Sequence, residues 1–130
     1  MGEAEAPKGK TVLLVDDEQS MLKVLERRIL SWGHRALLAD NGLEALRLAK
    51  EQQPDLILLD VMMPEMDGLE VCRRLRASQD TARIPIILVT VKATQLSPQE
   101  RQAAGAVRII GKPYEPTELE DAVQAALQSL

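Results

Sequence analysis

The sequence has few of the features that mark secreted or membrane proteins. Cys72 is the single cysteine among 130 residues, so no disulfide can form within the chain. No uninterrupted apolar stretch is long enough to span a bilayer, and residues 1–10 lack the apolar segment of a signal peptide. These absences argue against a disulfide-stapled domain and against a membrane-spanning protein, and we expect a cytoplasmic location.

The chain also has fewer positively charged residues than negatively charged ones. The chain has 16 Lys and Arg residues against 20 Asp and Glu residues, which gives a net charge of −4 at pH 7, and the basic residues are dispersed. Proteins that bind nucleic acids do so mainly through clustered Lys and Arg side chains. We therefore expect no nucleic acid and no membrane as a direct partner.

The remaining composition is that of one ordinary globular domain, with 45% hydrophobic residues. Residues 1–10, MGEAEAPKGK, are small, charged or helix-breaking, and we predict a disordered leader there. The domain is predicted to comprise residues 11–130, without a second domain. Whether the chain is a stand-alone protein or a domain excised from a longer one stays open.

Short apolar runs alternate with segments of helical periodicity five times along the chain. The runs TVLLV, RALLA, DLILLD, IPIILVT and VRII are each followed by an amphipathic or capped segment. Several runs are apolar throughout, which is typical of parallel strands covered by helices on both faces. The pattern predicts an α/β fold with a doubly wound (βα)5 architecture and a five-stranded parallel sheet.

Polar side chains stand where four of these runs end. They are two adjacent carboxylates, a third carboxylate, a hydroxyl and an ammonium group: Asp16, Asp17, Asp60, Thr90 and Lys112. Carboxyl ends of parallel strands lie along one edge of a sheet, where open α/β folds place their sites. Three crowded carboxylates repel one another unless a divalent cation neutralises them, and the lysine and hydroxyl indicate that a phosphoryl group is handled there.

Four motifs in order along the chain resemble the receiver domain of two-component response regulators, the CheY-like family. They are VDDE ending at Glu18, LLDVMMPEMDG from Leu58 to Gly68, LVT ending at Thr90, and GKPY from Gly111 to Tyr114. The resemblance covers nearly the whole chain from Thr11 onward. It implies the flavodoxin-like strand order 2-1-3-4-5.

The resemblance also implies how the site works. Asp60 would accept a phosphoryl group from a phosphohistidine of a sensor histidine kinase or a histidine phosphotransfer protein. Thr90 and Lys112 would contact the phosphoryl oxygens, and the Lys112-Pro113 peptide would be cis. The altered surface would signal to a downstream protein target, so the protein would be a switch rather than an enzyme, with only self-phosphotransfer and autodephosphorylation.

Mg²⁺ is the cofactor that the resemblance implies. Its ligands would be Asp17, Asp60 and the backbone carbonyl of Met62, with Asp16 acting mostly through a metal-bound water.

Two positions, Ile109 and Val91, depart from what is usual in the family. Ile109 stands three residues before Lys112, where many receivers carry a switching Tyr or Phe, and the chain contains no phenylalanine. The usual coupling of Thr90 to an aromatic ring therefore cannot operate in its familiar form, and we expect loop and helix movement to replace it. Val91 replaces a smaller residue, and we expect Val91 and Met62 to slow loss of the phosphoryl group.

Three other functional classes are alternatives to this one. A pseudo-receiver that acts only as a protein-interaction scaffold would keep the fold without phosphotransfer, and Ile109 and Val91 leave room for it. A small-molecule phosphatase would show a DxDxT motif, whereas Asp60 is followed by Val61, Met62 and Met63. A flavin-binding protein would need a Ser/Thr/Gly-rich loop after the first strand, and none follows it.

Overall fold

Five strands and five α-helices alternate along the chain in the computed structural model, which describes residues 9–128. The strands are β1 (Thr11–Val15), β2 (Arg35–Ala39), β3 (Leu56–Leu59), β4 (Ile86–Thr90) and β5 (Arg108–Gly111). The helices are α1 (Gln19–Ser31), α2 (Gly42–Gln52), α3 (Gly68–Ala77), α4 (Pro98–Ala104) and α5 (Pro116–Gln128). A short 3-10 turn (Ala93–Gln95) between β4 and α4 was not predicted, because three residues are too few to show a helical repeat.

The sheet has the predicted strand order, β2-β1-β3-β4-β5, and every neighbouring pair is parallel. Val15 of β1 pairs with both Ala39 of β2 and Leu59 of β3, and Thr90 of β4 pairs with Gly111 of β5. The last residues of these strands therefore lie along one edge. The prediction of a doubly wound, flavodoxin-like α/β fold is confirmed.

Side chains of the strands alternate between two core layers, one on each face of the sheet. One layer packs against α2, α3 and α4, and the other packs against α1 and α5. Within β3, for example, Ile57 and Leu59 belong to the first layer, whereas Leu56 and Leu58 belong to the second. Burial on both faces explains why the strands read as continuous apolar runs.

Side-chain caps and a glycine define the ends of α3 and α4. The Ser97 hydroxyl accepts a hydrogen bond from the Glu100 amide, and the Glu100 carboxylate accepts one from the Ser97 amide, which completes a capping box on α4. Asp67 caps α3 by accepting a hydrogen bond from the Glu70 amide. Gly105 ends α4 with φ 64°, a left-handed conformation that favours glycine.

The predicted leader falls almost entirely on residues 1–8, which lie outside the described residues. Its last two residues join the fold through the backbone, because the Gly9 amide donates to the carbonyl of Gly33 and the Lys10 carbonyl accepts from the amide of Arg35. The domain limits of 11–130 stay a prediction. Between residues 9 and 128, no helix has the length and apolar character needed to cross a bilayer.

Truncating a core side chain tests the two-layer packing. Leu58 is 1% exposed, so Leu58→Ala should lower the free energy of unfolding by about 2 to 5 kcal/mol, because it removes buried methyl groups and leaves a cavity. Leu43, which is 66% exposed, provides the control, and Leu43→Ala should change stability by less than about 0.5 kcal/mol. Urea unfolding followed by circular dichroism measures both, and equal losses would contradict the packing described.

Candidate functional site

Three carboxylates project from the loops that follow β1 and β3. Ladder hydrogen bonds continue one residue beyond each strand: the Asp16 amide donates to the Ala39 carbonyl at 3.2 Å, and the Asp60 amide donates to the Val15 carbonyl at 3.0 Å. Asp16 and Asp60 are buried, whereas Asp17 is exposed. The sheet itself therefore fixes the backbone of the two buried aspartates.

Lys112 lies between the two buried aspartates. Its Nζ donates to Asp16 Oδ2 at 2.9 Å and to Asp60 Oδ2 at 3.0 Å. Burial acts to lower the pKa of Lys112, but the hydrogen bonds to Asp16 and Asp60 outweigh it, so the pKa is raised above its ordinary value. The ammonium group is thus held charged beside the carboxylates, and its bond to Asp16 was not predicted from the sequence.

Backbone amides hold the other oxygen of each buried carboxylate. Asp16 Oδ1 accepts a hydrogen bond from the Glu18 amide, and Asp60 Oδ1 accepts one from the Met62 amide, each at 3.0 Å. Each carboxylate is therefore bound on one side by a backbone N–H and on the other by Lys112. Both side chains are oriented before any ligand arrives.

The carboxylates form a cluster whose chemistry suits a hard divalent cation. Oxygens of Asp16, Asp17 and Asp60 all lie within 4.8 Å of one another. Two oxygens on opposite sides of a Mg²⁺ ion are about 4 Å apart, and the limit of 4.8 Å is compatible with that spacing. Three carboxylates face the single ammonium of Lys112, which leaves negative charge for a cation to neutralise.

Thr90 ends β4 at the same edge of the sheet and is completely buried. Its carbonyl accepts a hydrogen bond from the Lys112 amide at 3.0 Å, which ties it to the neighbouring site residue. Its hydroxyl oxygen accepts a hydrogen bond from the Lys92 amide at 3.1 Å. Among residues 9–128 the hydroxyl makes no hydrogen bond to a carboxylate, so its proton is available to another acceptor.

The loop after Asp60 passes very close to the start of α3. A Cβ atom on Gly68 would lie 2.3 Å from the Asp60 carbonyl oxygen and 2.8 Å from Val61 Cα, both of them backbone atoms. The Gly68 amide also donates to the Val61 carbonyl at 2.8 Å. Glycine is required here by space, and this close approach holds Asp60 in place.

A family model described as the response regulator receiver domain matches residues 12–124 of the chain. The chain belongs to this family. The predicted resemblance to receiver domains is thereby confirmed.

Two similar transcriptional regulators are longer than this chain. The receiver is 38% identical over 119 residues to the alkaline phosphatase synthesis transcriptional regulatory protein PhoP of Bacillus subtilis, a match that covers 92% of this chain and 49% of PhoP. It is 37% identical over 118 residues to the transcriptional regulatory protein AfsQ1 of Streptomyces coelicolor, covering 91% of this chain and 51% of AfsQ1. The chain thus spans about half the length of these relatives.

Solved structures agree with the fold across their whole length. The receiver domain of the sensor histidine kinase PA1611 from Pseudomonas aeruginosa, which has a magnesium ion coordinated in its active-site cleft, is 33% identical with a TM-score of 0.84. That match covers 92% of this chain and 98% of the PA1611 domain. The chemotaxis response regulator CheY4 of Vibrio cholerae is 31% identical with a TM-score of 0.84, covering 92% of this chain and all of CheY4.

Apolar side chains form part of the rim of this receiver's site. Met62 is 43% exposed and Val91 is 58% exposed, although both are large hydrophobic residues. Met62 lines a cavity of about 390 Å³ together with side chains that include Pro64, Asp67 and Lys92. The loops that follow Asp60 and Thr90 therefore each expose an apolar side chain.

Ile109, at the position where many receivers carry an aromatic ring, is only partly buried. It packs against the core layer formed with α2, α3 and α4.

The Lys112-Pro113 peptide is cis, as the resemblance implies. The structure thus brings Asp16, Asp17, Asp60 and Lys112 together, and places Thr90 beside Lys112 along the edge. The proposed participation of the Met62 carbonyl stays a prediction.

Gly68→Ala tests the close approach beneath Asp60. The new methyl group would overlap backbone atoms that cannot rotate away, so the variant should lose about 1 to 3 kcal/mol of unfolding free energy. Gly111→Ala is the control, because its Cβ would meet only Ala93 Cβ at 3.4 Å. That variant should be nearly neutral in the same thermal or urea unfolding measurement. Tolerance of both substitutions alike would mean that the loop is not held at this point.

Proposed function

We propose that this receiver accepts a phosphoryl group on Asp60 from a phosphohistidine and thereby switches a protein-interaction surface. The observation that carries the proposal is the pair of hydrogen bonds from Lys112 Nζ to Asp16 and Asp60, inside a cluster of three carboxylates. Because Lys112 is held charged beside Asp60, its ammonium group can pair with a phosphoryl oxygen once Asp60 carries the phosphoryl group. Asp60 would be the nucleophile, with phosphohistidine as the phosphodonor class.

In the transfer step, one bond forms at Asp60 and one bond breaks at the phosphohistidine donor. An Asp60 carboxylate oxygen attacks phosphorus, an O–P bond forms, the P–N bond to the donor imidazole breaks, and the electron pair of that bond leaves with the imidazole nitrogen. Lys112 stabilises the charge that spreads over the phosphoryl oxygens. The Thr90 hydroxyl, whose oxygen already accepts from the Lys92 amide, keeps its proton for donation to one of those oxygens.

Mg²⁺ is the cation we propose for this cluster. Asp17, Asp60 and the Met62 carbonyl would hold it, with Asp16 acting mostly through a water. When bound, it would supply positive charge to offset the negative charge of the phosphoryl group. The Mg²⁺ in the PA1611 receiver, which has the same fold at 33% identity, supports this proposal.

A sensor histidine kinase or a histidine phosphotransfer protein would be the upstream partner, and a downstream protein would read the altered surface. The relatives named as transcriptional regulators are about twice as long as this chain. We propose that the activity of this receiver ends at self-phosphotransfer and autodephosphorylation, in the cytoplasm, without direct contact with nucleic acid. The unpaired thiol of Cys72 is consistent with a reducing compartment.

Acetyl phosphate with Mg²⁺ tests the phosphoacceptor role. The wild-type protein should gain one phosphoryl group by intact mass, in an adduct that survives acid and is lost in base, as expected of an acyl phosphate. Asp60→Asn should abolish the adduct, because an amide oxygen is a poor nucleophile. Chelation of Mg²⁺ with EDTA should reduce labelling strongly.

Asp55→Asn is a matched control for that experiment. Asp55 precedes β3, at the opposite end of the strand from Asp60, and accepts a hydrogen bond from the Thr11 amide. This variant should label like the wild type. An unlabelled wild type, with either acetyl phosphate or a panel of histidine kinases, would instead favour the pseudo-receiver, a scaffold that acts without phosphotransfer.

Val91→Ala tests how the site rim affects the lifetime of the adduct. Shortening an exposed branched side chain next to Thr90 should open the approach of water to the acyl phosphate and speed release of inorganic phosphate. Val107→Ala is the control, because Val107 is equally exposed, at 58%, but precedes β5 at the far end of the sheet. Release from Val91→Ala at the wild-type rate would eliminate the role of Val91.

A further inference from the structure

An arginine joins α4 to the 3-10 turn that follows Thr90. Arg101 lies within α4, and its guanidinium donates hydrogen bonds to the backbone carbonyls of Ala93, the first residue of the turn, and Leu96, the residue after it. A single planar side chain therefore ties the two successive segments together. We call residues 93–104, the turn and α4 together, the switch arm.

The near end of the switch arm is connected to the site. The Lys92 amide donates to the Thr90 hydroxyl, and the Lys92 carbonyl accepts from the Gln95 amide at 2.9 Å. Ala93 also lies against Gly111, the residue before Lys112, where a Cβ would come within 3.4 Å of the Ala93 methyl group. A movement of Thr90 or Lys112 therefore displaces the turn directly.

A second arginine holds the far end of the arm. Arg76 of α3 donates to the carbonyls of Ala82 at 2.8 Å, Ile84 at 2.9 Å and Gly105 at 3.1 Å. Gly105 terminates α4, so the last turn of that helix is tied to α3 and to the segment leading into β4. The arm is thus pinned at the end remote from the site, and its near end contacts the residues that would meet a phosphoryl group.

We propose that Arg101 is the residue that couples the site to α4 in this receiver, by making the 3-10 turn and the helix move as one body about the Arg76 contact. This inference rests on the proposed function, since a phosphoryl group on Asp60 is what displaces Thr90 and Lys112. Without Arg101, the turn follows Thr90 and α4 stays where Arg76 holds it. The partly buried Ile109 offers no ring for the alternative coupling through an aromatic side chain.

Hydrogen exchange of peptides within residues 93–104 tests the coupling, at matched acyl-phosphate occupancy determined by intact mass. In the wild type, acetyl phosphate with Mg²⁺ should change exchange in both the turn and α4. Arg101→Ala should acquire the phosphoryl group normally and keep the response of the turn, while the response of α4 falls about two-fold or more. Arg101→Lys should recover part of it, because an ammonium can still reach one carbonyl.

Gln102→Ala serves as the matched control, since Gln102 is an exposed neighbour on the same helix. It should respond as the wild type does. An unreduced α4 response in Arg101→Ala would overturn the inference. So would a variant whose α4 exchange exceeds that of the wild type by the same amount with and without the phosphoryl group. A wild type that is labelled but shows no change in α4 would overturn the inference alone, whereas an unlabelled wild type would overturn the proposed function with it.

Discussion

The site depends on one interaction, the double hydrogen bond from Lys112 to Asp16 and Asp60. Crowding three carboxylates at the edge of the sheet costs free energy through mutual repulsion and desolvation. Lys112 offsets part of that cost, and its own charge is maintained because the carboxylates outweigh its burial. The excess negative charge that remains is what makes the cluster suitable for a cation, so the same groups form internal ion pairs and the candidate functional site.

The scaffold explains how such a cluster stays ordered. Asp16, Asp60 and Lys112 each continue the hydrogen bonding of the parallel sheet by one residue past a strand, through the carbonyls of Ala39, Val15 and Thr90. Both core layers lie directly behind them. The charged groups are therefore attached to the hydrogen-bonded sheet and its buried core, whereas the turn that would respond to them, Ala93–Gln95, lies between β4 and α4.

Much of the fold was predictable because its signals are local. Continuous apolar strands, amphipathic helices and the caps at Ser97 and Asp67 are each contained within a few residues, and the topology follows from the handedness of parallel crossovers. The placement of polar residues at strand ends predicted one cluster, and the structure brings its carboxylates and lysine together. The 3-10 turn was not predicted because it is shorter than any periodic signal. The bonds from Arg101 to that turn were not predicted either, because in the sequence Arg101 is only one of several charged residues in a short helix.

Apolar periodicity was enough to specify the class of fold and the residues at the edge of the sheet, and the family motifs were enough to specify the strand order. Which of those residues bond to one another depends on the packing in three dimensions. Asp16 and Lys112 are 96 positions apart, and nothing local distinguishes a lysine that bridges two carboxylates from one that meets a single carboxylate. The same holds for Gly68 beneath Asp60 and for Arg76 on Gly105, because contacts of this kind depend on how separate elements pack in three dimensions, and hydrophobic periodicity specifies only which faces meet.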